Sequence, residues 1–379
     1  MPLSGVPGVS ILRPVKGTES AFVSCMKSTF EQDYPNFEII FCIKDANDPA
    51  VPVLEELCSQ YKNVPTRILT GQAASYGQKG YGPNPKINNL AQGFDQAQHD
   101  ILWVIDSNAW VDPGTLGRAV NKFRGSVGLV HHLPVAVSFS GWIGSRLDEM
   151  YLSTGHAKFY TGINAVGVAP CVMGKSNLFR KSSLLAASPD GFRYFSHFIS
   201  EDQMLSETLW EHGERTCLVS DLVIQPTKDE TFIEYWFRRL RWIRIRKYVV
   251  TGATLVEPFT ESIVSGIYGG WAISALTGIS AWSYFWLHMS LWCLLDYAVY
   301  HSIRARAIHE IKTYYDSPAT INTMKFARWL YIWLAREVLA LPIWIAAMCG
   351  SSIVWRGQRF RINADNSAEP VSKLEPLSF

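Results

Sequence analysis

The sequence predicts a mainly parallel, Rossmann-like α/β domain followed by helices that lie on and cross a membrane. Three observations carry this. From Val9 to about Val223, short β-branched runs alternate with amphipathic stretches, the pattern of parallel strands joined by crossover helices. Across Phe232–Tyr248 aromatic residues interleave with cations, which suits a helix at a membrane surface. From Ile263 to Tyr300 the chain is almost free of charge, over roughly twice the ~20 residues that cross a bilayer.

The elements follow in order. Val9–Leu12 reads as the first strand, with Phe37–Ile43, Thr66–Leu69 and Ile101–Ile105 as further strands. Helical periodicity fills Val51–Tyr61 and Ile87–Gln98. Gly71–Pro85 is rich in Gly, Pro, Ser and Gln without periodicity, and reads as a mobile loop over the site. Ile263–Tyr300 is long enough for a helical hairpin. Trp329–Trp355 is a third apolar stretch of spanning length, but Arg336, Glu337 and Pro342 interrupt it, so spanning and re-entrant paths are both open. Arg304, Arg306, Lys312, Lys325 and Arg328 place the loop after the hairpin on the cytosolic side, and the Arg238–Lys247 cluster puts the α/β domain there too. Three full spans would carry Arg356, Arg359 and Arg361 to the other side, against the same rule, which leaves the final topology open.

Composition narrows the partners. A net charge of +2 gives no general footprint for a polyanion, so nucleic acid is not expected. A charged fraction of 18% is below the roughly 25% of soluble domains, and with 14 Trp it favours contact with a lipid bilayer. Cys25, Cys42, Cys58, Cys171, Cys217, Cys293 and Cys349 are scattered singly, without CxxC spacing, which argues against zinc and against a disulfide framework. Met1–Gly8 has neither a charged leader nor an apolar core, so neither a signal peptide nor an anchor is expected there.

Chemistry is expected where strands end. Asp45 and Asp106 both follow apolar runs, and ligands of such sheets collect at the carboxyl ends of strands. Asp45, with Asp48 behind it, could serve a base or ribose edge; taken alone, a turn or helix-cap aspartate is the plainer reading. Asp106 with Asn108 two residues on offers two hard oxygen ligands for Mg²⁺ or Mn²⁺ bridging a diphosphate. Pro83–Leu90 opens a helix with prolines, so that backbone N–H groups and Lys86 could dock an anion; a surface lysine is the plainer reading. Glu201-Asp202 follows the aromatic Phe192–Ser200 stretch, where burial would raise a carboxylate's proton affinity for general-base work. Two acids in a first helical turn, favoured by the dipole, are the alternative. Arg238 and Arg241 lie three apart on one helix face beside Trp242, as a diphosphate clamp with a packing indole, or as a plain membrane-surface motif. His156 is a lone histidine without metal-ligand spacing, more ordinary as a structural group.

The order Asp45, Asp106, Asp202, then Arg238-Arg239-Leu240-Arg241-Trp242, then apolar helices, resembles the D,D,D,(Q/R)XXRW signature of family-2-type glycosyltransferases and of the ceramide glucosyltransferases. Pro83–Leu90, Val127–His131, Trp355–Arg361 and the lone Asp106-Ser107 in place of a full DXD also look like the latter family. The likeness runs from Pro7 to about Arg361, and departs from the family where an anchor usually precedes the first strand. It implies a GT-A fold that transfers glucose from UDP-glucose to the primary hydroxyl of ceramide with inversion. Asp202 is then the base, and Asp106 and Asn108 hold Mg²⁺ or Mn²⁺. The implied substrate-binding set is Lys16, Asp45, Lys86, Asp106, His156, Cys171, Glu201, Arg238, Arg241 and Trp242. The expected layout is a catalytic domain over residues 1–228, interfacial helices over 229–262, about three transmembrane or re-entrant helices over 263–355, and a polar tail over 356–379. The expected place is a Golgi or endoplasmic reticulum membrane with the catalytic domain in the cytosol. Two rivals stand: transfer to another lipid, a sterol or polyprenyl phosphate, and a catalytically silent membrane scaffold.

Overall fold

Strands covered on both faces need unbroken apolar runs, and the first part of the chain supplies them. In the computed structural model, which describes residues 5–19, 21–71, 81–314, 324–355 and 357–371, these runs become β1 (Val9–Val15), β2 (Phe37–Ile43), the half-exposed edge strand β3 (Thr66–Thr70) and β4 (Ile101–Ile105). They pair in parallel in the order β3-β2-β1-β4, with α1 (Phe22–Phe30), α2 (Ala50–Gln60) and α3 (Pro85–Gln96) as crossovers. Most of the stretch read as a mobile loop, residues 72–80, lies outside the described residues.

Beyond β4 come α4 (Thr115–Val120), β5 (Val127–Ser138), α5 (Ile143–Ser153), α6 (Gly155–Val166), β6 (Ser176–Arg180), α7 (Lys181–Ala187), α8 (Glu201–Glu211) and β7 (Arg215–Thr227). The sheet then reads β3-β2-β1-β4-β6-β5-β7, and β6 runs antiparallel to both β4 and β5. That reversal positions the site, because the start of β6 meets the end of β4, with Ser176 opposite Ile105.

The chain divides into two compact units, residues 1–135 with 160–226, and residues 136–159 with 227–379. The catalytic domain expected over 1–228 therefore gives up residues 136–159. The reason is packing: Leu147, Met150, Tyr151 and Leu152 of α5 join the apolar cluster of the second unit. In the first unit Leu12, Ile40, Leu90, Leu102 and Phe179 form the core, with the stacked rings of Phe94 and Phe192 beside them.

In the second unit a capping box of Thr231 and Glu234 starts α9 (Phe232–Val249), followed by α10 (Thr251–Val256), α11 (Ser262–Thr277), α12 (Ala281–Tyr314) and α13 (Phe326–Met348). The expected hairpin forms from α11 and α12, turning at Gly278 with φ +73°. Tyr268, Trp271, Trp282, Trp286, Leu291 and Leu294 of this hairpin are exposed, an apolar surface suited to lipid. Helix α12 continues to Tyr314, so Arg304 and Arg306 lie on a helix rather than in the loop expected there. Arg304 is buried in an ion pair with Glu149, and its charge is spent on packing.

Among the described residues α13 is the one helix long and apolar enough to cross a membrane. Arg336 and Glu337 within it pair with each other, Arg336 also pairs with Glu261 at 2.9 Å, and Pro342 is accommodated without ending the helix. Where a polar tail was expected from residue 356, the chain forms a small antiparallel sheet of β8 (Ser352–Trp355), β9 (Gln358–Ile362) and β10 (Ala368–Pro370), because Ile353, Phe360, Ile362 and Ala368 have a core to make. Nor is α9 simply a surface helix. Arg244 is buried and donates to the carbonyls of Ala346 (2.7 Å), Ala347 (3.2 Å) and Ser352 (2.6 Å), and Lys247 donates to that of Met348 (2.9 Å). These cations satisfy the carbonyl end of α13, where helix polarity favours positive charge.

The glycines of α11 permit its close approach to α12: a Cβ on Gly270 would lie 2.8 Å from the carbonyl oxygen of Ala281. Gly270→Ala should lower the unfolding temperature in detergent, by the equivalent of about 1–3 kcal/mol, as overpacking against backbone does. Gly252→Ala, at a helical position with no heavy atom within 4 Å of the added carbon, should not lower it.

Candidate active site

The turn after β4 is shaped from beneath by an arginine. Arg13, fully buried in β1, donates to the carbonyls of Asp106 (2.8 Å), Ala109 (2.8 Å) and Cys25 (2.9 Å), and burial lowers its pKa to about 10, leaving it charged at neutral pH. The backbone of residues 106–109 is thereby fixed, and the side chains of Asp106 and Asn108 are held at the strand end.

Two lysines meet there. Lys86 lies 2.8 Å from Asp106 Oδ1, 2.9 Å from Glu201 Oε1 and 3.1 Å from the Gly174 carbonyl. Lys175 lies 3.2 Å from Asp106 Oδ2 and 2.9 Å from Asn108 Oδ1. Burial works to raise the pKa of Asp106, but Lys86 and then Lys175 outweigh it and hold the carboxylate at about 2. Burial likewise opposes the charge on Lys86, and Asp106 and Glu201 overcome it, raising its pKa well above the ordinary lysine value. The N–H groups expected to dock an anion at the start of α3 are already used: Asn84 Oδ1 accepts from Lys86 N (2.9 Å) and Ile87 N (3.2 Å). The ammonium, not the helix end, is what α3 presents.

Glu201 and Asp202 open α8, and their surroundings differ. Glu201 is buried, with Oε1 on Lys86 and Oε2 accepting from Asn84 Nδ2 at 3.0 Å. Asp202 is partly exposed, and burial together with the neighbouring charge of Glu201 pushes its pKa up to about 7, against the pull of Lys86. It faces a small cavity lined by Lys86, Val104, Gly174, Asn177 and Glu201. It lies close against the chain before β6, where a Cβ on Gly174 would stand 3.0 Å from Asp202 Oδ2, a tight contact that the carboxylate would have to yield to.

Lys86, Asp106, Asn108, Glu201 and Asp202, all expected from sequence, are thus brought into one neighbourhood. Lys16 and Asp45 follow β1 and β2 at the same end of the sheet. Asp45 makes the turn foreseen as its alternative, Oδ1 accepting from Asn47 N at 2.9 Å, and Asp48 accepts from Gly17 N at 2.9 and 3.0 Å. Cys171 stands in the segment before β6, its carbonyl accepting from Asn164 at 2.9 Å. Among the described residues no three His, Cys, Asp or Glu side chains cluster as metal ligands, and the Asp106 and Asn108 oxygens expected to hold a cation both meet Lys175.

His156, Arg238, Arg241 and Trp242 belong to the second unit. The His156 ring is 5.7 Å from that of Tyr151; burial, then Arg239 and Arg246, lower its pKa to about 3, so the imidazole is neutral. Arg238 is held by Asp148 and by Glu230, at 2.7 Å from the latter. Arg239 lies 3.3 Å over the Tyr151 ring, whose centroid is 6.4 Å from that of Trp242. Sequence reasoning missed Arg13 and Lys175. Lys175 became legible only with the direction of β6.

The comparisons with known proteins agree with this geometry. A model described as glycosyl transferase family 21 matches residues 1–368. A ceramide glucosyltransferase of Komagataella phaffii is 40% identical, over 97% of this chain and 84% of its own length, and one of Candida albicans is 35% identical, over 96% and 88%. Among solved structures, a mannosyltransferase of Pyrobaculum calidifontis in complex with GDP-mannose and Mn²⁺ shares the fold at a TM-score of 0.50 and 14% identity, over 91% of this chain and 87% of its own. With its mainly parallel sheet, its carboxylates at the strand ends and this likeness over nearly its whole length, the chain belongs to glycosyl transferase family 21.

Proposed function

We propose that this chain transfers glucose from UDP-glucose to the primary hydroxyl of ceramide with inversion, giving glucosylceramide and UDP. The observation that carries the chemistry is Asp202, a partly exposed carboxyl whose pKa stands near 7 beside fully paired acids. The substrates rest on the ceramide glucosyltransferases that the chain resembles.

Asp202 takes the proton of the acceptor hydroxyl as that oxygen bonds to the anomeric carbon; the bond to UDP breaks and UDP leaves with the electron pair. Lys86 offers positive charge to the departing diphosphate. Asp106 and Asn108, with their hard oxygen donors, would hold a divalent cation, Mg²⁺ or Mn²⁺. Such a cation supplies Lewis-acid stabilisation of the leaving group. The mannosyltransferase with Mn²⁺ and a sugar nucleotide supports the same donor chemistry. Lys16, Asp45, Glu201, Cys171, His156, Arg238, Arg241 and Trp242 complete the proposed binding set, the last three on the order of the family signature. The exposed apolar hairpin and α13 support attachment to a bilayer, and a Golgi or endoplasmic reticulum membrane with the sugar nucleotide met in the cytosol fits a ceramide acceptor.

Asp202→Asn should keep its unfolding temperature and UDP affinity and lose glucosylceramide synthesis by about 10²–10⁴-fold, measured by mass spectrometry of the lipid product. Turnover at the wild-type rate would remove Asp202 from the role of base. Offering ceramide, a sterol and dolichyl phosphate separately with UDP-glucose identifies the acceptor in the same assay.

Because the base acts deprotonated, the transfer rate should rise with pH through about 7. Glu201→Gln removes the like charge and should move that acid limb to lower pH. An unmoved limb would assign it to another group.

A further inference from the structure

No step above uses Lys175, yet its ammonium sits on Asp106 Oδ2 (3.2 Å) and Asn108 Oδ1 (2.9 Å), the two side chains assigned to the cation. Lys86 takes the other oxygen of Asp106 at 2.8 Å, so each carboxylate oxygen has its own ammonium. A divalent cation and the Lys175 ammonium therefore compete for the same two oxygens, and their mutual repulsion forbids both being there at once.

Charge decides when each is favoured. Asp106 and Glu201 carry two negative charges, and Lys86 and Lys175 carry two positive ones. A lone divalent ion meets carboxylates already matched by ammonium groups, with Asp202 beside them taking up its proton near pH 7. A nucleoside diphosphate adds at least two negative charges and offers the ammonium a stronger partner than a carboxylate shared with Lys86. The backbone allows the exchange: the Lys175 carbonyl is fixed by Asp106 N–H at 3.1 Å and Ser176 begins β6, while the flexible four-carbon side chain can turn without moving the strand.

Resting on the reading that Asp106 and Asn108 hold a cation beside UDP-glucose, we infer that Lys175 is a diphosphate-binding residue that fills the cation's place until the donor nucleotide arrives. On donor binding the ammonium passes to the diphosphate, and the oxygens of Asp106 and Asn108 open to the cation. Nucleotide and cation then bind cooperatively, each tightening the other by the same factor.

The test uses the full chain in detergent, with Mn²⁺ binding read from the paramagnetic resonance of free Mn²⁺, with and without UDP. UDP binding in EDTA is read by calorimetry, and unfolding temperature controls for folding. Wild type should bind Mn²⁺ weakly alone and about tenfold or more tightly with UDP. Lys175→Met should bind Mn²⁺ alone more tightly, lose most of that coupling, and bind UDP in EDTA about tenfold more weakly. Lys175→Arg should restore the UDP affinity. Unchanged UDP affinity of Lys175→Met in EDTA, or unchanged affinity for Mn²⁺ alone with coupling intact, overturns the inference. If Lys175→Met fails to fold, the wild type decides, and no tightening of Mn²⁺ by UDP overturns it. Mn²⁺ that binds no variant even with UDP defeats the cation reading instead, and the EDTA measurement then decides the role of Lys175 by itself.

Discussion

Three carboxylates brought to one end of one sheet, with a single lysine shared between two of them, set the terms for the first unit. Buried carboxylates persist only when paired, and Lys86 spans Asp106 and Glu201 at 2.8 and 2.9 Å. Among the described residues Asp202 has no such ion pair, and its proton affinity is raised. A division of labour follows from environment alone. Lys86 and Lys175 hold the Asp106 carboxyl low and suit it to binding, while Asp202 suits proton transfer near neutral pH.

The second unit meets the same constraint among apolar helices. Asp296 of α12, fully buried, is matched by Lys158 at 2.6 Å and by the indole N–H of Trp333 at 2.9 Å. Arg336 of α13 is matched by Glu261 and Glu337. Charges beside lipid are retained only in such pairs, which is how α13 carries Arg336 and Glu337 and remains one helix. The arginine-rich α9 contributes to the same balance, with Arg244 and Lys247 on the carbonyl end of α13.

Much of the first unit was legible because its strands are continuous apolar runs. Phe37–Ile43 and Ile101–Ile105 have the bounds their composition suggests, and the second leads directly into Asp106. Asp202 was legible as a carboxyl after an aromatic stretch. Pairwise neutralisation was not: that Arg304 serves Glu149, or Arg238 serves Asp148, depends on side chains far apart in sequence and on separate helices, and a basic run reads as a membrane surface until its partners are known. The discontinuous second unit escaped for a similar reason, since α5 is amphipathic wherever it packs. The small C-terminal sheet escaped because its three strands are short and interleaved with arginines.

The direction of β6 has the widest consequence. Had it continued the parallel order, the segment before it would have opened at the opposite end of the sheet, away from Asp106. Running antiparallel, it delivers Gly174 and Lys175 to the carboxyl end of β4, with the Gly174 carbonyl on Lys86 and the Lys175 ammonium on Asp106. The bare Cα of Gly174 lets Asp202 lie close, where an added Cβ would stand 3.0 Å from its Oδ2. Two adjacent residues thus stand between Asp202 and the Lys86–Asp106 pair. One reversal of strand direction thus brings the proposed base and the proposed diphosphate-facing groups against a single peptide segment.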